Sequence, residues 1–485
     1  MSEATGPSSI SDFHESLRSR STTVEQVVSS YLERMALSRS LCAYLSEFAG
    51  QSLERARELD ECLSREGLDR LLERSPLFGV PVAIKDNIHV RGERTTCASR
   101  FLENYRAPFD ATCVARLRDS GAVFLGKTNL DEFAMGGSGE NSAFGPTAHP
   151  LQKERVPGGS SSGSAVAVAA DLALAALGSD TGGSIRLPAS FCGIAGLKPT
   201  YGRVSRFGLV AFGSSLDQVG PMARNVSDLA GIYRAIEGHD PRDATSARIA
   251  PSGSGPSLSS EGRPLRIGVP AEFFVEGLDP EVKSTIDRVL ERLRASGATL
   301  VPLSLPNLVH SIPVYYVIAT AEASSNLSRY DGVRFGVRSE AAMQAESLEA
   351  FYEEARALFG REVKRRILLG SFVLSAGYHD AYYRKACQVR RLIAEEFTRA
   401  FEQVDVIAGP VAPGTAFRRG ALERSPLQMY LNDLYTIPAN LAGLPALSVP
   451  IGADSTGLPI GLQLIGRPFD ENGLLQAGLD VEALR

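Results

Sequence analysis

The sequence predicts an α/β protein, a β-sheet with helices packed on its faces. Two observations predict it. From residue 78 onward, short apolar runs of strand length alternate with longer amphipathic stretches. The chain is also 485 residues long, 44% hydrophobic and 22% charged, which is enough apolar material to bury a large core around such a sheet.

The first 70 residues read as a helical layer of the same domain. Thr22 and Glu25 have the spacing of a capping box. The series Val24, Val27, Val28, Tyr31, Leu32 and Met35 then follows a helical stripe. A second, charged helix is predicted over residues 52–65, with Leu53, Ala56, Leu59 and Leu63 on one face. Packing against the core is the simpler reading of this layer, and a partner surface is the alternative. Residues 71–485 carry the rest of the domain.

Within them, residues 80–84 form an apolar strand that ends at Lys85. A helix over 110–120, a strand over 122–125 and a short helix over 128–135, with Asp131 in its first turn, follow. The alanine-rich stretch 165–177 has the composition of a closely packed helix. Later come a strand over 265–269, a helix over 279–296 closed by Gly297, and strands over 299–303 and 404–408. Residues 239–264 are rich in Pro, Gly and Ser without apolar periodicity, and read as a long surface loop between two halves of one domain.

Composition excludes several function classes. A net charge of −5 disfavours a direct nucleic-acid footprint, which needs a basic face. Cys42, Cys62, Cys97, Cys113, Cys192 and Cys387 include no CxxC pair, so no metal site or disulfide framework is expected. No basic stretch followed by an apolar one opens the chain, and its most apolar run is interrupted by Asp171. A cytoplasmic protein without membrane contact is the expectation.

The chemistry gathers in two Gly/Ser loops, residues 158–164 and 178–186. Glycines in such number let backbone N–H groups converge on one point, as in an oxyanion hole or a phosphate cradle. The phosphate-loop pattern fails because no Lys follows the last glycine of either loop. Residues 159–163 satisfy GxSxG with Ser161 in the centre, yet no downstream histidine is singled out as its partner. Ser184 directly follows Thr181-Gly182-Gly183, and Lys85, emerging from a buried strand, is the better base. Burial disfavours a charged ammonium and lowers its pKa. Residues 82–85 also spell the kinase VAIK strand, but the glycines come after it and neither HRD nor DFG occurs.

Taken together, Lys85, Ser160, Ser184 and the two loops closely resemble the amidase signature family. Its hallmark is a Ser–Ser–Lys triad with the middle serine on a cis peptide. The resemblance makes Lys85 the base, Ser160 the bridging serine and Ser184 the nucleophile, the two serines 24 residues apart. Ser162 departs from the glycine common at that position and leaves the triad untouched. The amides of Thr181, Gly182 and Gly183, with that of Ser184, are the expected oxyanion hole. Asp180 and Arg186 read as a structural ion pair fixing the loop. The resemblance also implies one mixed central sheet covered by helices on both faces.

Further blocks at residues 127–136, 140–145, 198–206, 322–332 and 457–463 resemble one branch of that family, the glutaminase subunits of tRNA-dependent amidotransferases. The match runs from about residue 75 to about residue 470. It implies that glutamine is hydrolysed to supply ammonia for converting glutamate carried on tRNA(Gln) into glutamine. Arg366, or else its neighbour Arg365, would take the substrate carboxylate, and Asp433 its ammonium. One of Tyr315 and Tyr316, with Tyr316 preferred, would line the pocket. The implied partners are a tRNA-binding kinase/transferase subunit (B), which would hold ATP and Mg2+, and a small subunit (C). No cofactor or metal is expected in this chain, and tRNA would be met through the partner. A stand-alone amidase for other carboxamides is the alternative enzyme. A catalytically silent scaffold is disfavoured by the intact Lys85–Ser160–Ser184 set.

Overall fold

The apolar run before Lys85 forms a strand, and ten others join it in one mixed sheet. The computed structural model describes residues 6–250, 264–274, 276–334, 336–422 and 425–484. In chain order the strands are β1 (Tyr44–Glu47), β2 (Pro81–Lys85), β3 (Val123–Thr128), β4 (Ala175–Asp180), β5 (Ala195–Lys198) and β6 (Gln218–Ala223). After them come β7 (Arg266–Pro270), β8 (Thr299–Leu303), β9 (Val406–Pro410), β10 (Ala446–Ala453) and β11 (Pro459–Gly466). Their spatial order is β1-β3-β2-β4-β6-β5-β10-β11-β9-β7-β8. The triplet β3-β2-β4 is parallel, as is β8-β7-β9, and the pairs between them are antiparallel.

Strand β9 shows how the sheet is sandwiched. Val406 and Ala408 pack into one apolar core and Ile407 into another, as the period of two requires when both faces are covered. The first core takes in Phe13, Val28 and Tyr31 from the N-terminal helices Ile10–Arg18 and Val24–Leu37. The second is built largely from the helices Ser311–Leu327, Arg361–Leu374 and Lys385–Gln403. Because β1 pairs with β3, the first 70 residues also contribute an edge of the sheet.

Three expectations are corrected. The stretch 165–177 starts as the end of the helix Ser162–Ala169 and finishes as the start of β4, with a connection between them. The break lies at Asp171, which has a left-handed backbone (φ 55°) and whose side chain accepts from the Gly6 amide at 3.0 Å and from Arg224 at 2.8 Å. A strand buried on both faces reads as an unbroken apolar run, so periodicity does not separate it from a buried helix. The helix over 128–135 shrinks to a single 3-10 turn, Glu132–Ala134, with Phe133 and Ala134 left-handed, while Asp131 turns inward ahead of it. The capping box is one residue later, formed by Thr23 and Gln26. Of the predicted loop 239–264, residues 251–263 lie outside the described residues. Its first part is irregular but tied down, since the buried Asp240 accepts from Thr112, from Ser205 at 2.7 Å and from Arg242.

Candidate active site

The parallel strands β3, β2 and β4 end side by side at Thr128, Lys85 and Asp180, and the loops that follow gather there. This is the carboxyl edge of the strands, where open α/β sheets hold their ligands. Lys85 is 0% exposed. Its Nζ donates to Ser160 Oγ at 2.9 Å, Ser161 Oγ at 2.8 Å and Ser179 Oγ at 2.9 Å. Burial drives the lysine pKa down to about 7, against the opposing pull of the Asp131, Asp180 and Asp217 charges.

Ser160 follows a cis peptide bond from Gly159. Its carbonyl accepts from the Asp131 amide at 3.2 Å, and the Asp131 carboxylate accepts in turn from the Gly139 and Asn141 amides at 3.0 Å. A Cβ on Gly159 would collide with that carboxylate, so the close approach requires glycine. Ser161, the centre of the GxSxG match, is wholly buried. Its hydroxyl accepts from Lys85 and donates to the Ser179 carbonyl at 3.1 Å, so its hydrogen bonds are spent inside the protein. Sequence reasoning weighed Ser161 only as the GxSxG centre and did not single out Ser179, and it foresaw neither as a partner of Lys85. Only their adjacency to Ser160 and Asp180 could have pointed to them.

Ser184 lies near the end of the second loop and is 7% exposed, whereas Lys85 and Ser160 are fully covered. Its carbonyl accepts from the Ser161 amide at 3.1 Å, which joins the two loops. Among the described residues no hydrogen bond links the Ser160 and Ser184 hydroxyls. The loop is framed by a wholly buried ion pair, in which Asp180 accepts from Arg186 Nε and Nη2 at 3.0 Å. Burial alone would raise Asp180, but the Arg186 charge outweighs it and holds the carboxyl at about 2. Asp180 also accepts from the Gly183 amide at 2.9 Å. Of the expected oxyanion donors, Gly183 is therefore occupied by Asp180, and no such bond engages Thr181 or Gly182 among the described residues. The Thr181 hydroxyl donates to the buried Asp217 at 2.6 Å.

Arg366 and Asp433 lie near each other, with Asp433 also within the electrostatic reach of Asp180. The Arg366 guanidinium is buried between the rings of Phe212, Tyr316 and Tyr430, at 5.4, 5.5 and 5.7 Å. It donates to Glu362 at 2.8 Å. Arg365 is half-buried and also donates to Glu362. Asp433 is half-buried, and burial pushes its carboxyl up to about 7 although Arg366 opposes the rise. Tyr316 stacks on Tyr430 with centroids 3.9 Å apart. Tyr315 instead packs against the loop before Ser184, its hydroxyl 2.6 Å from where a Cβ on Gly182 would sit. Outside Arg366 opens a cavity of about 580 Å³, lined among others by Ser138, Asn141, Arg361, Arg365 and Tyr430. The described residues include no cluster of three or more His, Cys, Asp or Glu able to hold a metal, and no helix long and apolar enough to cross a membrane.

A buried lysine hydrogen-bonded to a serine pair beside a glycine-rich loop, on a mixed sheet, is the arrangement of an amidase-type site. The chain belongs to the amidase family, whose model matches residues 26–475. It is 56% identical over 444 residues to the A subunit of glutamyl-tRNA(Gln) amidotransferase from Acidobacterium capsulatum, covering 91% of this chain and 92% of that one. It is 54% identical to the protein of the same name from Chlorobium phaeobacteroides, covering 96% and 97% of the two chains. Among solved structures it resembles the A subunit of glutamyl-tRNA(Gln) amidotransferase from Thermotoga maritima, with 43% identity, a TM-score of 0.71, and 90% and 92% of the chains covered. The native peptide amidase of Stenotrophomonas maltophilia is also similar, with 34% identity, a TM-score of 0.80, and 98% and 96% covered.

Proposed function

We propose that this chain is the glutamine-hydrolysing subunit of a tRNA-dependent amidotransferase that converts glutamate on tRNA(Gln) into glutamine. The observation that carries the chemistry is the buried hydrogen bond from Lys85 to Ser160, in a setting that brings the lysine pKa down to about 7 and so makes its neutral form available there. The names of the relatives at 56% and 54% identity support the choice of substrate.

In the reaction, neutral Lys85 takes the Ser160 proton while Ser160 takes that of Ser184, whose oxygen attacks the glutamine carboxamide carbon. The carbonyl electron pair moves onto oxygen and is held by the amides of Thr181, Gly182 and Ser184. Gly183 joins them only by leaving Asp180. The same relay returns a proton to the leaving nitrogen, ammonia departs, and water then cleaves the acyl-enzyme to glutamate. For this short relay the Ser184 hydroxyl turns toward Ser160 when substrate binds. Arg366 takes the substrate carboxylate, Asp433 takes its ammonium, and Tyr316 walls the pocket.

Activation of a tRNA-linked carboxylate needs ATP, and this chain shows neither a phosphate loop nor a kinase motif set. That step therefore belongs to a partner, a tRNA-binding kinase/transferase subunit (B) that holds ATP and Mg2+, accompanied by a small subunit (C) in a cytoplasmic heterotrimer. Any choice of aspartyl-tRNA(Asn) as a second target rests with that tRNA-binding partner. The test is a glutaminase assay after co-purification. The chain alone should be weakly active, more active with its partners, and more active again with ATP and misacylated tRNA. Full turnover by the isolated chain, indifferent to partners, would favour a stand-alone amidase, the reading to which the likeness to peptide amidase points.

A further inference from the structure

One peptide group in the nucleophile loop is clamped at both ends. The N–H of the Gly182–Gly183 peptide donates to Asp180 at 2.9 Å, and its C=O accepts from the Thr436 hydroxyl at 2.6 Å. Thr436 is 0% exposed, three residues after Asp433 in the chain. Its amide donates to the Asp433 carbonyl at 3.2 Å, its hydroxyl also reaches that carbonyl at 3.2 Å, and its own carbonyl accepts from Arg186 at 2.9 Å. A single side chain thus joins the backbone of the loop before Ser184 to the backbone of the turn that presents Asp433. The fit is tight, because a Cβ on Gly183 would run into the Thr436 hydroxyl.

We infer that Thr436 is a positioning residue that couples the substrate-ammonium turn at Asp433 to the oxyanion-binding loop at Gly182. The inference rests on the proposed roles of Ser184 and Asp433. A peptide plane fixed at its N–H alone can tilt about that bond, and tilting the Gly182–Gly183 plane re-aims the neighbouring amides of Gly182 and Ser184. Fixing the carbonyl as well removes that freedom before substrate arrives. This matters for the transition state, because the oxyanion exists only there and its donors must be oriented in advance. Ground-state contacts to the amino-acid end of the substrate do not depend on that plane. Loss of the hydroxyl is therefore expected to act on kcat far more than on KM.

The experiment compares Thr436→Val, which keeps the shape and loses the hydroxyl, with Thr436→Ser, which keeps the hydroxyl. Both are assayed in the full chain with its co-purified partners. Thr436→Val should lower kcat on the order of 10- to 100-fold, the scale of a misplaced reacting group. KM for glutamine should stay within about 3-fold, and Thr436→Ser should restore kcat to within about 3-fold of the parent. A second readout uses glutamate γ-semialdehyde, to whose aldehyde carbon Ser184 adds as its proton passes to the relay and the carbonyl pair becomes an oxyanion. Its inhibition should weaken in step with kcat, while inhibition by glutamate, which forms no oxyanion, should hold. If Thr436→Val does not fold, Thr436→Ala serves in its place with the same expectation. Unchanged kcat in the valine or alanine variant overturns the inference, as does a loss shared equally by the serine variant or by glutamate binding. Ser184→Ala, run alongside, separates the two readings. If it stays active the proposed chemistry itself fails, and if it is inactive beside an unimpaired Thr436→Val, only the coupling fails.

Discussion

Lys85 Nζ donates to Ser160 Oγ at 2.9 Å, and its other hydrogen-bond partners are two further serine hydroxyls and a carbonyl, with no carboxylate among them. A buried ammonium with only neutral partners is held near its neutral form, and that is what a proton acceptor requires. Activity should therefore rise with pH through about 7, the value to which burial brings Lys85. Lys85→Arg should be nearly as inactive as Lys85→Ala, because a guanidinium remains protonated. A pH profile of kcat for the parent and a single-pH assay of both variants check this. The shift also acts on folding. The unfolded chain binds a proton that folded Lys85 has lost between about 7 and the ordinary lysine value, so stability from this group rises with pH across that window.

The two candidate serines of the GxSxG run and the second loop should separate cleanly. Ser184→Ala should lower glutaminase turnover on the order of 10³-fold or more with little effect on folding. Ser161→Ala should lower it less, since the Ser161 hydroxyl is engaged by Lys85 and Ser179 rather than presented to substrate. Mass spectrometry of a trapped acyl-enzyme should place the adduct on Ser184, and an adduct on Ser161 would reverse the assignment.

Asp180 and Arg186 bear on stability. Arg186 is wholly buried and also reaches the Thr436 carbonyl at 2.9 Å and Gln463 at 2.6 Å. Asp180→Asn would leave its charge uncompensated, and the expected loss is about 3–5 kcal/mol in denaturant unfolding. Because the Asp180 carboxyl is held down at about 2, its contribution is complete above the ordinary aspartate value and disappears as pH falls through about 2. The Asn variant should therefore lose part of the parent's acid-induced unfolding response.

Much of this site was legible because its chemistry demands residue types that stand out. A lysine closing an apolar strand and a serine after Thr-Gly-Gly are conspicuous in sequence, and so is the alternation that foretells the sheet. What stayed hidden depends on contacts made far along the chain. Nothing local marks Asp171 as the end of a helix, since its partners Gly6 and Arg224 lie 165 and 53 residues away. Ser179 joins the lysine only because β2 and β4 are neighbours. The engagement of the Gly183 amide follows from the side chain of Asp180 folding back over three residues, a geometry that GSDTGGS permits without dictating. Thr436 is invisible for the same reason, its partner Gly182 being 254 residues distant.

The proposed substrate wall offers the last prediction, and its difficulty is that burial brings Asp433 and Lys85 alike to about 7. Asp433 must be ionised to accept an ammonium, so protonation below that point should weaken glutamine binding. Once glutamine is bound, its ammonium holds Asp433 ionised, and the acid limb of kcat reports Lys85 alone. The limb of kcat/KM reports the free enzyme and should carry both groups, making it the steeper of the two. Asp433→Asn should raise KM, and should flatten the kcat/KM limb to the slope of kcat without moving the latter. Arg366→Lys should raise KM by about 10-fold or more with kcat little changed, because an ammonium cannot reproduce a planar fork packed among Phe212, Tyr316 and Tyr430. Steady-state kinetics across pH 5.5–8.5 (roughly the span that brackets both groups) decide the matter. Equal slopes for kcat and kcat/KM in the parent would remove Asp433 from the binding site and leave the ammonium to another group.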